Sequence, residues 1–373
     1  MGHRLVPAGC AVVLLGLALF PGYGSSAANH ISGSPVLAAR PLPGAHVFGK
    51  LSFNYPGAIA VAGGCVLVAN GGGGYGGPTS VTELNAKTGS LVRVIHGSKY
   101  RFYSPDGIAV MGGEAWVADG GASVTELIAK TGSLVRAIHG SKFRMDYANA
   151  IAVAGGHVWV ANGDPGAGSV TELDAKTGRL VRVIRGSKYV FNYPDAIAVA
   201  GGHVWVGAGG YEAAGYSVTE LDANTGGLVR VISAAKYGFN TPYAMAVTGA
   251  DLWAANFDQA NGNSVTELDA KTGRLVRLIS RLNYSPDAIA VAAGRVWVAT
   301  ENGGSRENGS VIELSEGTGG VLRVISASKY RFDWPGGIGV TGGHVWVANT
   351  YGNSVTELNA TTGGLVRVIS DSK

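Results

Sequence analysis

This sequence lacks most of the features by which a catalytic or metal-binding protein is recognised. It contains only two cysteines, Cys10 and Cys65, in 373 residues, so neither a disulfide framework nor a cysteine-based zinc site is expected. It has no Ser/His/Asp pattern of catalytic type, and its Gly-rich stretches precede no helix, as a phosphate-binding loop requires. Charged residues make up 14% of the chain, and the formal net charge of +4 is spread over many turns. Nucleic acid is therefore not expected as a partner, because it requires a concentrated basic face.

The N-terminus is typical of a secretory signal peptide over residues 1–28. A short basic start at Met1–Arg4 precedes an apolar run over residues 5–20 and a small-residue stretch that ends at Ala28. The apolar run is shorter than the roughly 20 residues that a spanning helix needs. We expect cleavage, export to an extracellular or periplasmic location and no stable membrane insertion, with an uncleaved anchor as the alternative. Cleavage would remove Arg4 and Cys10, which lowers the net charge from +4 to +3 and leaves one thiol.

A repeat occupies most of the remaining chain, after a lead-in over residues 29–44 for which no structure is predicted. Val-x-Glu-Leu occurs seven times, and the copies begin at Val81, Val124, Val170, Val218, Val265, Val311 and Val355. Repeats of this length are typical of propellers and solenoids. Each copy has four short runs rich in Val, Ile, Leu and Trp, separated by turns rich in Gly, Asn or Asp. The sequence therefore predicts an all-β fold, a seven-bladed β-propeller of four-stranded antiparallel blades over residues 45–373.

The four strands of a blade, A to D, have different compositions. Strand A has small residues, as expected of a strand crowded against the central channel. Strand B carries a Trp in six blades, for example Trp159, which indicates packing between blades, and Leu67 replaces it in the first blade. A Glu in strand C lies ten residues before an Arg in strand D, as in Glu172 and Arg182. Across a tight hairpin this spacing predicts exposed salt bridges at the blade edges, each contributing about 0.2–1 kcal/mol.

The residue that follows the hairpin between strands A and B differs from blade to blade. Cys65 occupies this position in the first blade, where we expect an exposed thiol, and His157, His203 and His344 occupy it in three others. The rotation about the propeller axis separates these histidines, so they are not expected to form a metal site.

The two ends of the repeat region resemble halves of one cut repeat. The last copy stops at Ser372–Lys373, where other copies continue Lys-Tyr-x-Phe-x-x-Pro, and the first copy begins with the related stretch over residues 50–56. We therefore expect the termini to meet at the junction of blades 7 and 1.

Departures from the repeat concentrate in the connections between strands B and C, which vary most in length. Together with the D to A connections they form one face of a propeller, which is the candidate binding surface. The longer loops present Tyr211, Phe257 and Asp258, an aromatic and carboxylate combination that suits a sugar or a cationic ligand. Tolerated insertions without function are the alternative.

Two further sets of residues are expected at the channel mouth. The position after the Pro that opens strand A, which is Ala148 in the third copy, holds Gly57, Asp106, Asn149, Asp195, Tyr243, Asp287 and Gly336. The end of strand B holds Asn70, Asp119, Asn162, Ala208, Asn256, Thr300 and Asn349. Asp106, Asp195 and Asp287 would suit a hard cation such as calcium or magnesium. Equally, Asp and Asn at such positions cap turns by bonding to the backbone.

The runs Pro-x-Ala-Ile-Ala-Val, His-Val-Trp-Val-Ala-Asn and Ser-Val-Thr-Glu-Leu are similar to the repeats of secreted YVTN and NHL propellers and of the virginiamycin B lyase-like family. The resemblance covers residues 56–373 and implies the propeller fold. The lyase family uses His and Glu at channel positions where this chain has no His, so its activity is not implied. The Asp-Ala-Lys-Thr-Gly turn also resembles quinoprotein dehydrogenase repeats, but the accompanying Trp and vicinal Cys pair are missing, so no quinone is expected.

Three functions follow from these observations. The first is a secreted, non-enzymatic and monomeric propeller that binds a protein, a glycan or a small molecule on the variable face. The second is a metal-dependent lyase or hydrolase that uses the channel carboxylates. The third is a structural envelope or matrix protein.

Overall fold

The chain forms a seven-bladed β-propeller, as the sequence predicts. A computed structural model describes residues 53–74, 77–164, 168–209, 216–257, 263–280, 282, 284–301 and 309–371. In this part of the chain, 28 strands form seven antiparallel sheets of four strands, and each sheet is built from consecutive strands. The signal peptide, the lead-in, Tyr211 and Asp258 lie outside the described residues.

The first four blades have the following strands. Blade 1 contains β1 (Pro56–Ala62), β2 (Cys65–Asn70), β3 (Ser80–Asn85) and β4 (Leu91–Ile95). Blade 2 contains β5 (Pro105–Met111), β6 (Glu114–Asp119), β7 (Ser123–Ile128) and β8 (Ser133–His139). Blade 3 contains β9 (Ala148–Ala154), β10 (His157–Asn162), β11 (Ser169–Asp174) and β12 (Leu180–Arg185). Blade 4 contains β13 (Pro194–Ala200), β14 (His203–Ala208), β15 (Ser217–Asp222) and β16 (Leu228–Ile232).

The last three blades follow the same plan. Blade 5 contains β17 (Pro242–Val247), β18 (Asp251–Asn256), β19 (Ser264–Asp269) and β20 (Leu275–Ser280). Blade 6 contains β21 (Ser285–Ala292), β22 (Arg295–Glu301), β23 (Ser310–Ser315) and β24 (Val321–Ile325). Blade 7 contains β25 (Pro335–Thr341), β26 (His344–Asn349), β27 (Ser354–Asn359) and β28 (Leu365–Ser370). Short 3-10 turns are η1 (Gly72–Gly74), η2 (Ser98–Tyr100), η3 (Ser141–Phe143), η4 (Ser187–Tyr189), η5 (Ala235–Tyr237) and η6 (Ser328–Tyr330).

The A strands form the inner ring, and β1 contacts both β25 and β5. Small residues let these strands approach closely, while the hydrophobic core lies between successive blades. The cluster around Trp159 of blade 3, for example, includes Ile197 and Val206 of blade 4. Because every blade face is covered by its neighbour, strands A to C read as almost continuous apolar runs.

An arginine clamp joins each blade to the next. In blade 3, Nε of Arg182 lies 2.7 Å from a carboxylate oxygen of Glu172, and its Nη2 donates to the backbone carbonyl of Asn224 in blade 4 at 3.0 Å. The same Glu–Arg pairs occur in all seven blades at 2.5–2.8 Å. At the ring junction, Arg367 of blade 7 donates to the carbonyl of Lys87 in blade 1.

These pairs are not the exposed edge pairs that we expected. Each Glu side chain is at most 2% exposed, and the Arg that pairs with it spans the junction to the adjoining blade. Removing an Arg would therefore leave the charge of a buried Glu without a partner, which costs more free energy than breaking a surface pair.

In five blades the first residue of strand B is a second partner of the buried Glu. Nδ1 of His157, His203 and His344 lies 2.7–2.8 Å from the blade's Glu, and Arg295 takes this place in blade 6. The expected exposure of Cys65 is wrong, because its thiol is half-buried and donates to Glu83 at 3.1 Å. Burial raises the pKa of Cys65 to about 11, and the bond to Glu83 adds to the shift.

Within the described ranges we find no helix that has both the length and the apolar character needed to cross a membrane.

Candidate functional site

The upper face, defined as the side that carries the B–C and D–A connections, contains the candidate site. The lower face carries the A–B hairpins and C–D turns and repeats the same contact from blade to blade. In blade 3, for example, the amide of Ala175 in the C–D turn donates to the carbonyl of Gly156 in the A–B hairpin, and the other six blades have the equivalent bond. Differences between blades are therefore concentrated on the upper face.

A β-bulge places the residue after the opening Pro, or after its equivalent Ala148, at the channel wall. In blade 4, Pro194 pairs with Ala208 and Ala196 pairs with Gly207, so Asp195 between them has no partner in the strand ladder. The other six blades have the same irregularity. A bulge turns a side chain away from the regular alternation. The seven residues at this position therefore form the innermost ring.

The polar members of this ring are mostly enclosed. Asn149, Asp195 and Asp287 are only 2–4% exposed. The amide of Asn149 donates to a carboxylate oxygen of Asp195 in the next blade at 2.9 Å, which links blades 3 and 4 across the ring. Asp106 and Tyr243 are the half-exposed polar members of this ring.

Burial raises the pKa of these carboxyls, which favours their protonated form. Loss of hydration raises the pKa of Asp106 and of Asp195 to about 8, although hydrogen bonds from Ser104 and Asn149 oppose the shift. The pKa of Asp287 is raised well above its usual range by burial, with the neighbouring Glu301 adding to the shift. Protonated carboxyls both donate and accept hydrogen bonds, which suits neutral polar groups better than cations.

The three aspartates considered for a metal do not form a common site in the described part of the chain. No three His, Cys, Asp or Glu residues there lie close enough together to hold a metal ion. Asp106 accepts from the Ser104 hydroxyl at 2.9 Å, while Asp195 bonds to Asn149 and Asp287 lies in blade 6.

The residues that end strand B have structural roles within their own blades. Asn256 donates to the hydroxyls of Ser264 and Thr266 at 3.1 and 2.9 Å, and Asn70, Asn162 and Asn349 make the equivalent bonds. Their amides hold strand B to strand C instead of reaching into the channel.

Asp119 has a different structural role from these asparagines. One carboxylate oxygen accepts from the amides of Tyr103 and Ser104 at 2.7 and 3.1 Å, and the other accepts from Gly121 at 2.8 Å. Burial raises the pKa of Asp119 to about 6, while these bonds lower it. Asp119 therefore positions the short B–C turn of blade 2 and the linker that carries Tyr103.

The ring has an open sector where blades 7 and 1 meet. A Cβ added to Gly57 would meet no atom within 4 Å, so this part of the channel wall is bare. Three aromatic rings lie at the same junction. Tyr55 packs edge-on against Tyr351 at 5.6 Å between ring centroids, and Trp334 packs against Tyr351 at 4.9 Å.

Sequence reasoning missed this aromatic group, because its members come from the two ends of the chain. The amide of Tyr55 donates to the side chain of Asn353 at 2.8 Å, and the hydroxyl of Thr350 donates to the carbonyl of Pro56 at 2.9 Å. The sequence does contain a signal for this group. An aromatic residue stands directly before the opening Pro in both blades that meet at the predicted junction, Tyr55 in blade 1 and Trp334 in blade 7. On the far side of the ring, Phe257 and Tyr243 lie 5.6 Å apart, which brings together two residues selected from the sequence.

Comparison with known proteins supports the fold and goes no further. No family model matches this chain, and no curated protein matches it either. Among solved structures it is similar to hydrazine synthase from Kuenenia stuttgartiensis, with a TM-score of 0.64 and 16% identity over 85% of this chain and 98% of that chain. It is also similar to the computationally designed Ika8 protein, with a TM-score of 0.57 and 14% identity over 83% of this chain and 98% of that chain. At such low sequence identities the similarity shows the propeller fold alone and says nothing about function.

Proposed function

We propose that this chain is an exported, non-enzymatic binding protein, and that the open sector on its upper face holds a neutral polyhydroxylated ligand such as an oligosaccharide. The observation that carries the proposal is the bare wall at Gly57. Gly57 holds the same bulge position as Asp106 of the next blade, and it lies two residues after Tyr55, whose ring contacts Tyr351 beside Trp334.

The chemistry of the two sides supports this choice of ligand. Aromatic rings offer flat apolar surface to the CH face of a sugar, and their edges tolerate its hydroxyls. Burial raises the pKa of the Asp106 carboxyl to about 8, which favours the protonated form. A protonated carboxyl donates and accepts hydrogen bonds without attracting a cation. Compact pockets with aromatic walls and a few polar groups are the usual form of small-ligand sites.

The resemblance of the repeats to secreted YVTN and NHL propellers is consistent with a monomeric exported protein, and we propose a distant relation to them. The channel ring contains no His, which argues against the acid/base chemistry of the lyase-like family.

Gly57→Tyr tests the proposed site directly. Tyr243 occupies the equivalent bulge in blade 5, so the fold accepts this residue, and a ring at position 57 would fill the open space. We expect neutral oligosaccharides to bind the wild type in a glycan array and in calorimetry, and Gly57→Tyr to lose at least tenfold in affinity. Gly249→Tyr is the matched control, since Gly249 lies in a lower-face hairpin and a Cβ there also meets nothing within 4 Å.

A second pair of variants tests the role of Asp106. Asp106→Asn keeps a donor and an acceptor and is expected to retain binding within about threefold, whereas Asp106→Leu is expected to lose it. Equal binding by wild type and Gly57→Tyr, or no glycan binding by the wild type at ~1 mM, would refute the proposal. Chemical conversion of the bound saccharide would refute the proposal that the protein is not an enzyme.

A further inference from the structure

A second cleft, of about 320 Å³, opens on the outer part of the upper face between blades 2 and 3. Its lining includes Arg101, Gly121, Ala122, His139, Arg144 and Asp146. We call it the basic cleft. It is formed by the linker into blade 2, the B–C turn of blade 2 and the linker into blade 3, and it shares no residue with the open sector.

The basic cleft exists because the B–C connection of blade 2 is short. Only Gly120, Gly121 and Ala122 join β6 to β7, whereas nine residues join the equivalent strands of blade 1. The turn is tightly built: Ala122 has a φ of 69°, and a Cβ on Gly121 would lie 2.6 Å from the Cβ of Tyr103. A longer connection would cover the space between the two linkers.

Two arginines enter the basic cleft from equivalent positions. Arg101 and Arg144 follow η2 and η3 with φ of 56° and 52°, and both are exposed. Among the described residues, neither guanidinium has a carboxylate within ion-pair distance. Asp119 lies near Arg101, but its carboxylate already accepts three backbone N–H groups. Asp146 is the one acidic side chain in the lining, against Arg101, Arg144 and the imidazole of His139.

An exposed aromatic ring lies beside the basic cleft. Tyr103 packs on Gly121 of the lining and is 73% exposed, and Tyr147, the residue after Asp146 in the next linker, is 54% exposed. No other aromatic side chain in the described residues is as exposed as these two. Solvent-facing tyrosines beside unpaired arginines are a combination typical of binding surfaces.

No other pair of described linkers repeats this arrangement. The position of Arg101 and Arg144 is held by Val190 in the linker into blade 4, by Gly238 in the linker into blade 5 and by Arg331 in the linker into blade 7. Blade 7 also has a short B–C connection, but the linker that adjoins it leads into blade 1, and the sequence has Ser52 there in place of an arginine.

We propose that the basic cleft binds an acidic saccharide, with a carboxylate or sulfate of the sugar held by Arg101 and Arg144 and a sugar ring stacked on Tyr103. The fork of a guanidinium matches both oxyanions through paired hydrogen bonds. The assignment rests on the proposed role of the upper face in binding, but it does not require the open sector to be occupied.

The test is calorimetric titration with three probes, namely a trisaccharide of uronic acid, a sulfated neutral trisaccharide and free sulfate. We expect one or both saccharides to bind the wild type. The double variant Arg101→Gln/Arg144→Gln should weaken that binding by at least tenfold. Tyr103→Ala should weaken saccharide binding about fivefold and leave the weak binding of free sulfate unchanged. Comparison of the two saccharides identifies whether the oxyanion is a carboxylate or a sulfate.

Arg331→Gln is the matched control, because it removes the same charge from the same backbone position in another linker. An equal loss in Arg331→Gln would show nonspecific charge attraction and overturn the proposal. So would unchanged affinity in the double variant, free sulfate binding as tightly as the saccharides, or no saccharide binding by the wild type at ~1 mM. Gly57→Tyr separates the two sites: it should abolish neutral glycan binding and leave the basic cleft unaffected.

Discussion

Glu114→His is expected to stabilise the protein in a pH-dependent way. It would give the buried Glu of blade 2 a His partner at the position that His157 occupies in blade 3. In blade 3, Glu172 bonds to both Arg182 and His157. In blade 2, Glu126 bonds to Arg136 through one oxygen, and its other oxygen accepts no hydrogen bond from the described residues. Burial raises the pKa of Glu126 to about 7, Arg136 opposes the shift, and Glu114 adds to it.

The sign of the effect follows from this raised pKa. A carboxyl whose pKa is higher in the folded state than its unfolded value of about 4.5 takes up a proton on folding. Its stabilising contribution is complete below about pH 4.5 and is lost as the pH rises through about 7. At about 1.4 kcal/mol per pKa unit the upper limit of this loss is about 3 kcal/mol, and we take a third of it because water reaches the strand B end of the pair.

We therefore expect Glu114→His to raise the free energy of unfolding by about 1 kcal/mol at pH 8, or about 2 °C in Tm, and to have little effect at pH 5. Urea denaturation at both pH values measures the difference. Glu114→Met, which removes the charge without adding a donor to Glu126, should give an intermediate gain. The reverse substitution His157→Glu should destabilise at pH 8 by about 1–2 kcal/mol. An equal gain at both pH values, or a neutral His157→Glu, would show that the second partner of the buried Glu is unimportant.

Three further predictions concern the turns and the thiol. Gly178→Ala should cost about 2 kcal/mol in urea denaturation, because Gly178 has a φ of 67° and a Cβ there would lie 2.6 Å from Cδ of Arg136, whereas Gly249→Ala should cost under about 0.5 kcal/mol. Asp119→Ala should cost about 2 kcal/mol and speed proteolysis within the B–C turn of blade 2, because three backbone N–H groups lose their acceptor. Cys65, with a pKa of about 11, should react with iodoacetamide at pH 8 far more slowly in the native protein than in urea.

Each of these predictions has a result that contradicts it. Equal losses for the two glycine variants would mean that the C–D turn does not need its left-handed residue. Unchanged proteolysis in Asp119→Ala would mean that other contacts hold the turn. Equal alkylation rates in native and unfolded protein would show that the thiol is as accessible as the sequence alone suggested.

The blade plan was predictable because it depends on neighbouring segments. The seven copies of Val-x-Glu-Leu set the number of blades, and the ten-residue spacing of Glu172 and Arg182 set their pairing across one hairpin. What local reasoning misjudged was the burial of these Glu side chains. The Arg that pairs with each Glu spans the junction to the adjoining blade, and the position of that blade is not encoded within the hairpin.

The candidate site was predictable only in part, for the same reason. The sequence singled out the position after the opening Pro, but both sets of residues were expected to face the channel mouth. The bulge at Asp195 and the bonds of Asn256 to strand C separate the two sets. A bulge depends on how two strands pair, and it leaves no residue type that a single sequence identifies.

The sequence by itself determined the repeat, the order of strands and the location of variation on one face, since these follow from side-chain alternation and turn residues over tens of residues. Only the tertiary structure decided which of these positions lie close together in space. Closing the ring brings Tyr55 beside Asn353, almost 300 residues apart, and sets two linkers with Arg101 and Arg144 around one short turn. Burial within the closed ring then raises the carboxyl pKa values, because loss of hydration depends on every surrounding blade.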